Sequence, residues 1–502
     1  MKKESENHPI KKVVFIEPRP YDRHVFSRYK LPRLGIVILG TIIERQGRYC
    51  KVFIEDIQDI DFKEVFSADL VGITTTTSTA PRAYAIADQV RKAGIPVVMG
   101  GPHVTFMPDE ALEHADYVIR GEGEESFPRL IETIEVGRGL EDIMGLSFRI
   151  GDRNFHNPGL GRVENLDDLP IPDFSMIQGG MKGNIWPIQT SRGCPFNCNF
   201  CTVTKIFGRA YRFRSKEHIM RELRAVPKDK TIFFYDDNFS ADPKRAKDLM
   251  RMMIAEGITP HWTTQVRVDV ARDPEMLELM KESGCVHVYI GFESVNPATL
   301  KAFKKGQNLE EMRSSIRELH KWGIRIHGMF VLGADDDDKD TIDRTVKFAK
   351  TEKIDTVQFL ILIPLPGTQQ YDQYKEEGRL IIEDWSYYDG HHVIHEPKNM
   401  TYFELQTGVF RAFLNFYSRT EIVKAFFSFK LLNLFYKVYA YRLVKGWLRG
   451  NKEYVKLTKK WTIDAGAKAN VKIRRAADDI TERVRKLSAK GEIPELPEKN
   501  GN

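Results

Sequence analysis

The sequence predicts an α/β protein: a doubly wound parallel sheet, then a partial (β/α)6 barrel, then a helical extension. Three observations lead to this prediction. Short β-rich runs alternate with helical stretches over the first 150 residues, six further strand–helix units follow, and strand signals fade beyond residue 378. Strands that alternate with helices imply right-handed crossovers and parallel sheets. The chain has 502 residues, which at about 150 residues per domain is compatible with roughly three domains.

The first unit, residues 1–150, is predicted to be a Rossmann-like sheet that binds a ligand. Such sheets bind ligands beyond the carboxyl ends of their strands, and small or glycine-rich loops follow those ends here. The candidate ligand contacts in these loops are Thr75, Thr76, Gly100, Gly101, His103, Gly121, Glu122 and Gly123. The strands are predicted at residues 13–17, 51–55, 69–74, 96–99 and 116–120, and the helices at residues 35–46, 81–93, 108–114 and 124–136.

A connector rich in Pro, Gly, Asn and Asp, residues 151–186, precedes the second unit, residues 187–378. Six β/α units in so short a span predict an open version of a β/α barrel, whose chemistry collects at the carboxyl ends of its strands. The predicted strands are residues 187–190, 231–235, 261–266, 286–291, 324–332 and 356–363.

Residues 379–490 form a helical, aromatic and basic extension, and residues 491–502 a polar tail expected to be disordered. Between residues 419 and 490 there are 19 Lys and Arg against 6 Asp and Glu. Bases inside the aromatic stretch, residues 426–447, argue against a transmembrane helix. We favour a helical lid over the barrel mouth, and the alternative is a peripheral helix at the inner membrane surface. Nucleic acid is disfavoured because the aromatic residues read as core-facing.

The composition places the chain among ordinary globular proteins. Hydrophobic residues make up 42% and charged residues 29%, which argues against global disorder and fibrous repeats. Five cysteines and a polar, lysine-rich start without the apolar run of a signal peptide predict a reducing compartment, the cytoplasm.

Three of the five cysteines, Cys194, Cys198 and Cys201, lie within eight residues, directly after the first predicted barrel strand. Thiolates at this spacing can converge from one loop on zinc or on an iron–sulfur cluster. A structural zinc ion needs four ligands in a closed tetrahedron, and this loop offers three. A four-iron cluster on three cysteines leaves one iron open to bind a substrate or cosubstrate.

The CxxxCxxC spacing, with Phe200 just before the last cysteine, resembles the radical S-adenosylmethionine (SAM) superfamily. The resemblance implies that the three cysteines hold a 4Fe–4S cluster whose open iron chelates SAM, and that reduction of SAM yields a 5′-deoxyadenosyl radical. Further strand-end matches imply SAM contacts from Phe200, Asp236, Asp237, Gln265 and Glu293.

The glycine loops of the first unit, lying upstream of that cysteine motif, resemble those of cobalamin-binding radical SAM proteins. The resemblance implies that Thr75, Thr76, Gly100, Gly101, His103, Gly121, Glu122 and Gly123 contact cobalamin. Many cobalamin domains ligate cobalt through the histidine of an Asp-x-His-x-x-Gly motif. The nearest match here, around His24, lacks the glycine, so His24 is not our expected cobalt ligand.

The arrangement of the three units, including the segments at residues 389–393 and 397–400, is similar to hopanoid methylases. The resemblance implies transfer of a methyl group to an unactivated carbon of a small-molecule or lipid-like substrate, through the 5′-deoxyadenosyl radical and methylcobalamin. A reductant such as flavodoxin or ferredoxin would be the partner. The alternatives are an oxidative cyclase or oxidase of the tetrapyrrole type and a non-enzymatic regulator that senses cobalamin or redox state.

Overall fold

The computed structural model describes residues 9–21, 31–137, 139–427 and 431–467. His24 and the tail at residues 491–502 lie outside these ranges, so the predictions made for them stay predictions. The first region contains strands β1 (Lys12–Glu17), β2 (Tyr49–Ile54), β3 (Leu70–Thr74), β4 (Val97–Gly100), β5 (Tyr117–Ile119), β6 (Leu146–Ile150) and β7 (Arg153–His156). Its helices are α1 (Leu34–Arg45), α2 (Phe62–Val65), α3 (Ala80–Lys92), α4 (Pro102–Phe106), α5 (Pro108–His114) and α6 (Ser126–Val136).

The first sheet has the strand order β2-β1-β3-β4-β5-β6-β7. Strands β1 to β5 are parallel, which confirms the doubly wound sheet, and their strand order reverses direction between β1 and β3. Val13 and Val14 point to opposite faces of β1 and both are fully buried, as expected for a strand covered on both sides. Strands β6 and β7 add an antiparallel edge, and β7 lies inside the stretch predicted as a connector.

The second region is the predicted partial barrel. Its six long strands pair in the order β8-β11-β12-β13-β14-β15, all parallel, and the sheet stays open between β8 and β15. The strands are β8 (Ile185–Ile188), β9 (Ser191–Arg192), β10 (Arg212–Phe213), β11 (Thr231–Phe234), β12 (Trp262–Val266), β13 (Cys285–Glu293), β14 (Arg325–Leu332) and β15 (Thr356–Ile361). The helices are α7 (Val203–Ile206), α8 (Lys216–Ala225), α9 (Pro243–Ala255), α10 (Pro274–Glu282), α11 (Pro297–Ala302), α12 (Leu309–Lys321), α13 (Lys339–Thr351) and α14 (Gln369–Glu376).

Local sequence fixes where the barrel helices begin. A polar side chain just before each of five helices accepts a hydrogen bond from a backbone N–H of the first turn, which otherwise has no partner within the helix. These capping residues are Ser215, Asp242, Asp273, Asn308 and Asp338.

The helical extension consists of α15 (Tyr402–Phe416), α16 (Arg419–Phe427), α17 (Leu431–Gly450) and α18 (Lys452–Ala467). Helix α15 packs against β15. Helix α17 packs against α15 through the stacked rings of Phe410 and Trp447, whose centroids are 3.9 Å apart. Tyr436 and Ala440 of α17 face the first halves of β13 to β15. Helix α17 therefore covers the amino-terminal half of the barrel, so the described part of the aromatic stretch is not the predicted lid over the mouth at the carboxyl ends. Within the described ranges, no helix combines the length and the apolar character needed to span a bilayer.

Candidate active site between the two sheets

The cysteine loop is held at its base by a short hairpin. Strand β9, immediately before the loop, pairs antiparallel with β10, immediately after it, although neither strand was predicted. Gly193 has a φ of +91°, and a Cβ there would lie 2.6 Å from the Ala210 carbonyl oxygen. Only glycine fits this position without displacing backbone, so the turn into Cys194 depends on it.

The three cysteines of this loop, Cys194, Cys198 and Cys201, are partly exposed at the carboxyl end of the barrel. Burial raises the pKa of the Cys201 thiol to about 12. No three His, Cys, Asp or Glu side chains in the described ranges converge closely enough to hold one metal ion. In a tetrahedral zinc site the sulfurs would lie only roughly 3.8 Å apart, whereas each thiolate of a 4Fe–4S cluster binds a separate iron. Three separate thiolates, one for each of three irons, suit a 4Fe–4S cluster with one open iron.

The carboxylate of Asp236 holds the backbone that leads into the cysteine loop. It is fully buried at the end of β11, and its Oδ1 accepts hydrogen bonds from the backbone N–H groups of Thr190 (2.8 Å) and Ser191 (2.7 Å). The Thr190 hydroxyl donates to the other carboxylate oxygen. Both oxygens of Asp236 therefore accept hydrogen bonds from the chain itself, so Asp236 positions the backbone that leads into the loop; its predicted SAM contact stays a prediction.

Asp237, the next residue, is exposed to solvent. Its carboxylate acts electrostatically on Cys194 and Cys201, so it lies close to the loop. The surrounding protein and then the negative charge of Asp236 raise the pKa of Asp237 to about 7. Gln265 lies beside it at the end of β12 and donates a 3.4 Å hydrogen bond to the Asp236 carbonyl oxygen. Two of the predicted SAM contacts are thus brought to the same edge as the cysteines.

Glu293 ends β13 with a φ of +61°, a backbone conformation that residues other than glycine rarely adopt. Its Oε1 accepts from Lys305 Nζ at 2.7 Å, and both residues are buried. Gln307 donates to the carbonyl oxygens of Gly291 (3.2 Å) and Phe292 (2.8 Å), which holds the bent strand end. Strain of this kind persists where the surroundings impose it and is typical of functional sites. Nothing in the sequence pattern pointed to Lys305.

Two aromatic residues of the cysteine loop anchor it to the barrel. The ring of Phe200 lies 4.9 Å from that of Phe303, centroid to centroid. The guanidinium of Arg267 lies 3.7 Å from the centroid of the Phe196 ring, and Arg267 Nη2 donates to the Lys305 carbonyl oxygen at 2.6 Å. Phe200, predicted as a SAM contact, therefore also packs the loop against the wall of the barrel.

A cavity of about 320 Å³ lies between the carboxyl ends of the first sheet and the base of the cysteine loop. It opens around the point where the strand order reverses, the usual ligand site of such sheets. Residues of the second region, including Gln189, Arg192, Phe207 and Tyr235, form one wall. The opposite wall includes Phe15, Leu39, Thr74, Gly100, Gly101, Gly121, Glu122, Gly123 and Phe127.

The glycines of this cavity allow close backbone approach. Gly101 has φ +99° and ψ 177°, a conformation open essentially only to glycine. A Cβ on Gly101 would lie 2.5 Å from the Thr75 carbonyl oxygen. The Thr75 hydroxyl donates to the Gly100 carbonyl oxygen (2.9 Å), and the Thr76 backbone N–H donates to Thr79 Oγ1 (3.0 Å). Among the residues described, Thr75 and Thr76 do not line the cavity, since the turn uses their polar groups; Thr74 lines it instead.

His103 was also predicted to contact the ligand of this cavity, and the structure places it elsewhere. It is buried on α4, with Nε2 3.5 Å from Glu110 Oε1. The Trp385 ring lies edge-on, with its centroid 5.0 Å from that of the imidazole. Trp385 Nε1 in turn donates to Glu110 at 2.8 Å. His103 is therefore part of the contact between the first region and the extension, away from the cavity wall.

A buried ion network joins the two regions at the cavity. Arg192 Nη2 lies 2.6 Å from Glu124 Oε1, and Arg192 Nη1 lies 3.3 Å from Glu122 Oε2. Arg212 Nη1 also donates to Glu122 Oε2, at 3.0 Å. Burial opposes the charge on Glu122, but the hydrogen bonds from Arg212 and the charge of Arg192 lower its pKa. Glu122 was predicted as a ligand contact, whereas Arg192 and Arg212 belong to no recognisable motif and were not predicted.

Comparison with known proteins agrees with this two-part site. The radical SAM superfamily matches residues 188–349, and the B12 binding domain matches residues 26–131. An uncharacterized methyltransferase of Pyrococcus horikoshii is 32% identical over 78% of this chain and 89% of its own length. The chain belongs to the cobalamin-binding radical SAM family. This confirms the resemblance described above and makes the protein an enzyme whose cofactors are a 4Fe–4S cluster, SAM and cobalamin.

Other members of the cobalamin-binding radical SAM family are nearly as similar. The bacteriochlorophyllide d C-12(1)-methyltransferase of Chlorobaculum tepidum is 31% identical, over 73% of this chain and 78% of its own. The hopanoid C-2 methylase of Rhodopseudomonas palustris is 29% identical, over 70% of this chain and 66% of its own. The radical SAM methyltransferase TsrM of Kitasatospora setae shares the fold, with a TM-score of 0.64 at 19% identity over 73% of this chain and 78% of that one.

Proposed function

We propose that this enzyme transfers a methyl group to an unactivated carbon of a small-molecule or lipid-like substrate. The observation that carries the proposal is the shared wall of the 320 Å³ cavity. Glycines of the first sheet form one side, and Gln189, Arg192 and Tyr235 form the other. Arg192 is two residues from Cys194, so a cofactor in the cavity and a cluster on the loop would lie close to each other.

The residues fit three cofactor roles. Cys194, Cys198 and Cys201 would hold the cluster, and the backbone at Gly100, Gly101, Gly121 and Gly123 would hold cobalamin. Asp237, Gln265 and Glu293 lie at neighbouring strand ends and would bind SAM, since carboxylates and an amide suit its ammonium and hydroxyl groups. When bound, the cluster with SAM supplies a 5′-deoxyadenosyl radical and cobalamin supplies the methyl group.

The chain's own side chains would exclude water rather than transfer protons. Phe15, Leu39 and Phe127 line the cavity from the first sheet, and Ile206 and Phe207 line it from the cysteine loop. An apolar enclosure of this kind prevents a reactive intermediate from being quenched by solvent. A one-electron reductant such as flavodoxin or ferredoxin would supply the electron to the cluster.

The test is product analysis with the reduced, reconstituted enzyme and a substrate chosen from its genomic neighbourhood. Methyl transfer predicts that S-adenosylhomocysteine and 5′-deoxyadenosine both form, together with a methylated product. Formation of 5′-deoxyadenosine without methyl transfer would instead support a cyclase or oxidase. Absence of both products, with cobalamin bound, would support a regulator, which a gel-shift assay at physiological salt would then examine.

We further propose that α16 and the start of α17 contact an anionic membrane surface. Phe426 and Phe427 are 61% and 72% exposed on α16, and Phe435 is 47% exposed on α17. The basic residues of this region would attract anionic headgroups while the rings enter the interface. Co-sedimentation with vesicles of phosphatidylglycerol and phosphatidylcholine should detect binding at low salt. The double variant Phe426→Ser/Phe427→Ser should lose it, and Ile463→Ser, an exposed apolar residue of α18, should not. If the wild type does not bind, the membrane proposal is wrong.

A further inference from the structure

A second cavity, of about 110 Å³, lies inside the amino-terminal half of the barrel. Its floor and sides come from the first residues of β13, β14 and β15, and α17 covers it. Polar side chains from four elements meet there: His287, Tyr289, His327, Gln358, Tyr436 and Tyr439. We call this cavity the histidine–tyrosine pocket. Since a cavity of about 10–15 Å³ admits one water, the pocket has room for roughly seven to eleven waters, or for a small fused ring system of a ligand.

The two imidazoles of the histidine–tyrosine pocket are uncharged at neutral pH. Burial and then the charge of Arg325 lower the pKa of His287 to about 4, and burial lowers that of His327 to about 3. His327 Nδ1 lies 2.8 Å from Thr356 Oγ1. No Asp, Glu, Lys or Arg of the described chain lines the pocket, although Arg325 and Asp355 act on His287 from nearby.

The lining of the histidine–tyrosine pocket favours uncharged ligand groups over charged ones. Imidazole, phenol and amide groups donate and accept hydrogen bonds, so they can satisfy a hydroxyl or carbonyl group. A carboxylate, phosphate or ammonium group would lose its hydration without meeting an opposite charge, which is strongly unfavourable. The surrounding rings of Tyr289 and Phe233, with centroids 5.7 Å apart, offer apolar surface to the rest of a ligand.

We propose that the histidine–tyrosine pocket binds the uncharged hydroxyl or carbonyl end of an elongated, ring-containing substrate. This inference rests on the proposed function, because it places the reacting carbon near Glu293. Glu293 is four positions after Tyr289 in β13, which is about 13 Å along a parallel strand. Phe233 contacts the rings of both Tyr289 and Tyr235, with centroids 5.7 Å and 5.6 Å away. A substrate that reaches both must be long and mostly apolar.

The experiment measures binding without turnover. The holoenzyme, loaded anaerobically with cluster, SAM and cobalamin so that the larger cavity is filled, is dialysed against four naphthalene probes at pH 7.5. These are naphthalene, 2-naphthol, 2-naphthoate and 2-naphthylmethylammonium. We expect 2-naphthol to bind at least tenfold more tightly than either charged probe. Tyr289→Phe, which removes one oxygen atom, and Gln358→Leu should each weaken 2-naphthol at least threefold and leave naphthalene unchanged.

Two further variants keep the outcome interpretable. Ala440→Phe, on the α17 face of the pocket, should fill the space and remove binding of naphthalene and 2-naphthol alike. Gln373→Leu, the same substitution at an exposed position of α14, should change nothing. The proposal is overturned if charged and uncharged probes bind equally, or if Tyr289→Phe and Gln358→Leu bind 2-naphthol like the wild type. Because turnover is not measured, failed methyl transfer with intact probe selectivity would count against the proposed function alone.

Discussion

Arg192 and Glu124 face each other across the boundary of the two sheets, with Nη2 and Oε1 2.6 Å apart and only 4% and 5% of their side chains exposed. Glu124 follows the glycine loop after β5, and Arg192 ends β9, two residues before Cys194. The pair therefore ties the cavity loop of one region to the cysteine loop of the other. A rigid link at this point would keep the two cofactor sites in register.

The first prediction concerns this ion pair. Arg192→Ala removes the ion-pair partner of the buried Glu124 carboxylate, while Arg212 still pairs with Glu122. Leaving one buried charge of a pair without its partner costs about 3–5 kcal/mol. An anaerobic thermal melt should show a Tm several degrees lower, and the purified variant should retain less cobalamin. Arg411→Ala is the matched control, since Arg411 and Asp343 are paired at 3.4 Å but are 60% and 61% exposed. Such surface pairs contribute about 0–1 kcal/mol. Equal melts for both variants would contradict a stabilising role for Arg192.

The second prediction concerns the cysteines. Cys198→Ala should abolish the brown absorbance of the reconstituted protein, lower its iron and sulfide content, and end 5′-deoxyadenosine formation. Cys285→Ala makes the same substitution at a buried cysteine of β13. It should keep the cluster and lose about 1 kcal/mol of stability, an ordinary value for a small core deletion. Retention of the cluster by Cys198→Ala would remove the basis of our site assignment.

The third prediction compares two glycines with positive φ. A Cβ on Gly94 meets nothing within 4 Å, whereas one on Gly101 meets the Thr75 carbonyl oxygen at 2.5 Å. Gly94→Ala should cost about 1–2 kcal/mol from the left-handed backbone alone. Gly101→Ala should cost more and release cobalamin, because its φ of +99° and ψ of 177° are open essentially only to glycine and because overpacking adds about 1–3 kcal/mol. Thermal melts measure the loss of stability, and the cobalamin content after gel filtration measures the loss of cofactor. Equal losses of stability in the two variants would show that the loop at Gly101 can shift to accommodate a Cβ.

The fourth prediction concerns acid stability. His395 is fully buried beside the Gly333 carbonyl oxygen, with Nε2 at 2.9 Å, and burial lowers the pKa of the imidazole to about 4. At pH 7 the imidazole is neutral in both states. As the pH falls below about 6.5 the unfolded chain takes up a proton that the folded chain refuses, so folding loses about 2 kcal/mol by pH 5.

His395→Gln keeps a donor for the Gly333 carbonyl oxygen and removes this titration. The fall in Tm between pH 7 and pH 5 should therefore be smaller in the variant than in the wild type. His156→Gln, on the exposed strand β7, should leave the fall as it is. An unchanged pH dependence in His395→Gln would show that other groups dominate acid unfolding.

Much of the architecture could be predicted because its signals are local. Strand and helix periodicity located the parallel strands of both sheets, and the spacing of three cysteines located the cluster loop. Short pieces without periodicity were not predicted: β9 and β10 are two residues each, β6 lies at the end of the first unit, and β7 lies in the stretch predicted as a connector. Their pairing depends on partners distant in sequence or on the sheet edge already formed.

Within the site, the sequence determined which residue types are present, while the fold decided which of their atoms are free. Glycine at position 101 and the CxxxCxxC motif express constraints that act within a few residues. Asp236, Thr75 and His103 looked equally suited to bind a cofactor. In the structure, backbone N–H groups donate to Asp236, the Thr75 hydroxyl donates within its turn, and His103 packs against Trp385. Arg192 and Lys305 had no motif and gained their importance from carboxylates 68 and 12 residues away. Hydrogen bonds and burial depend on three-dimensional neighbours, so only the tertiary structure could assign them.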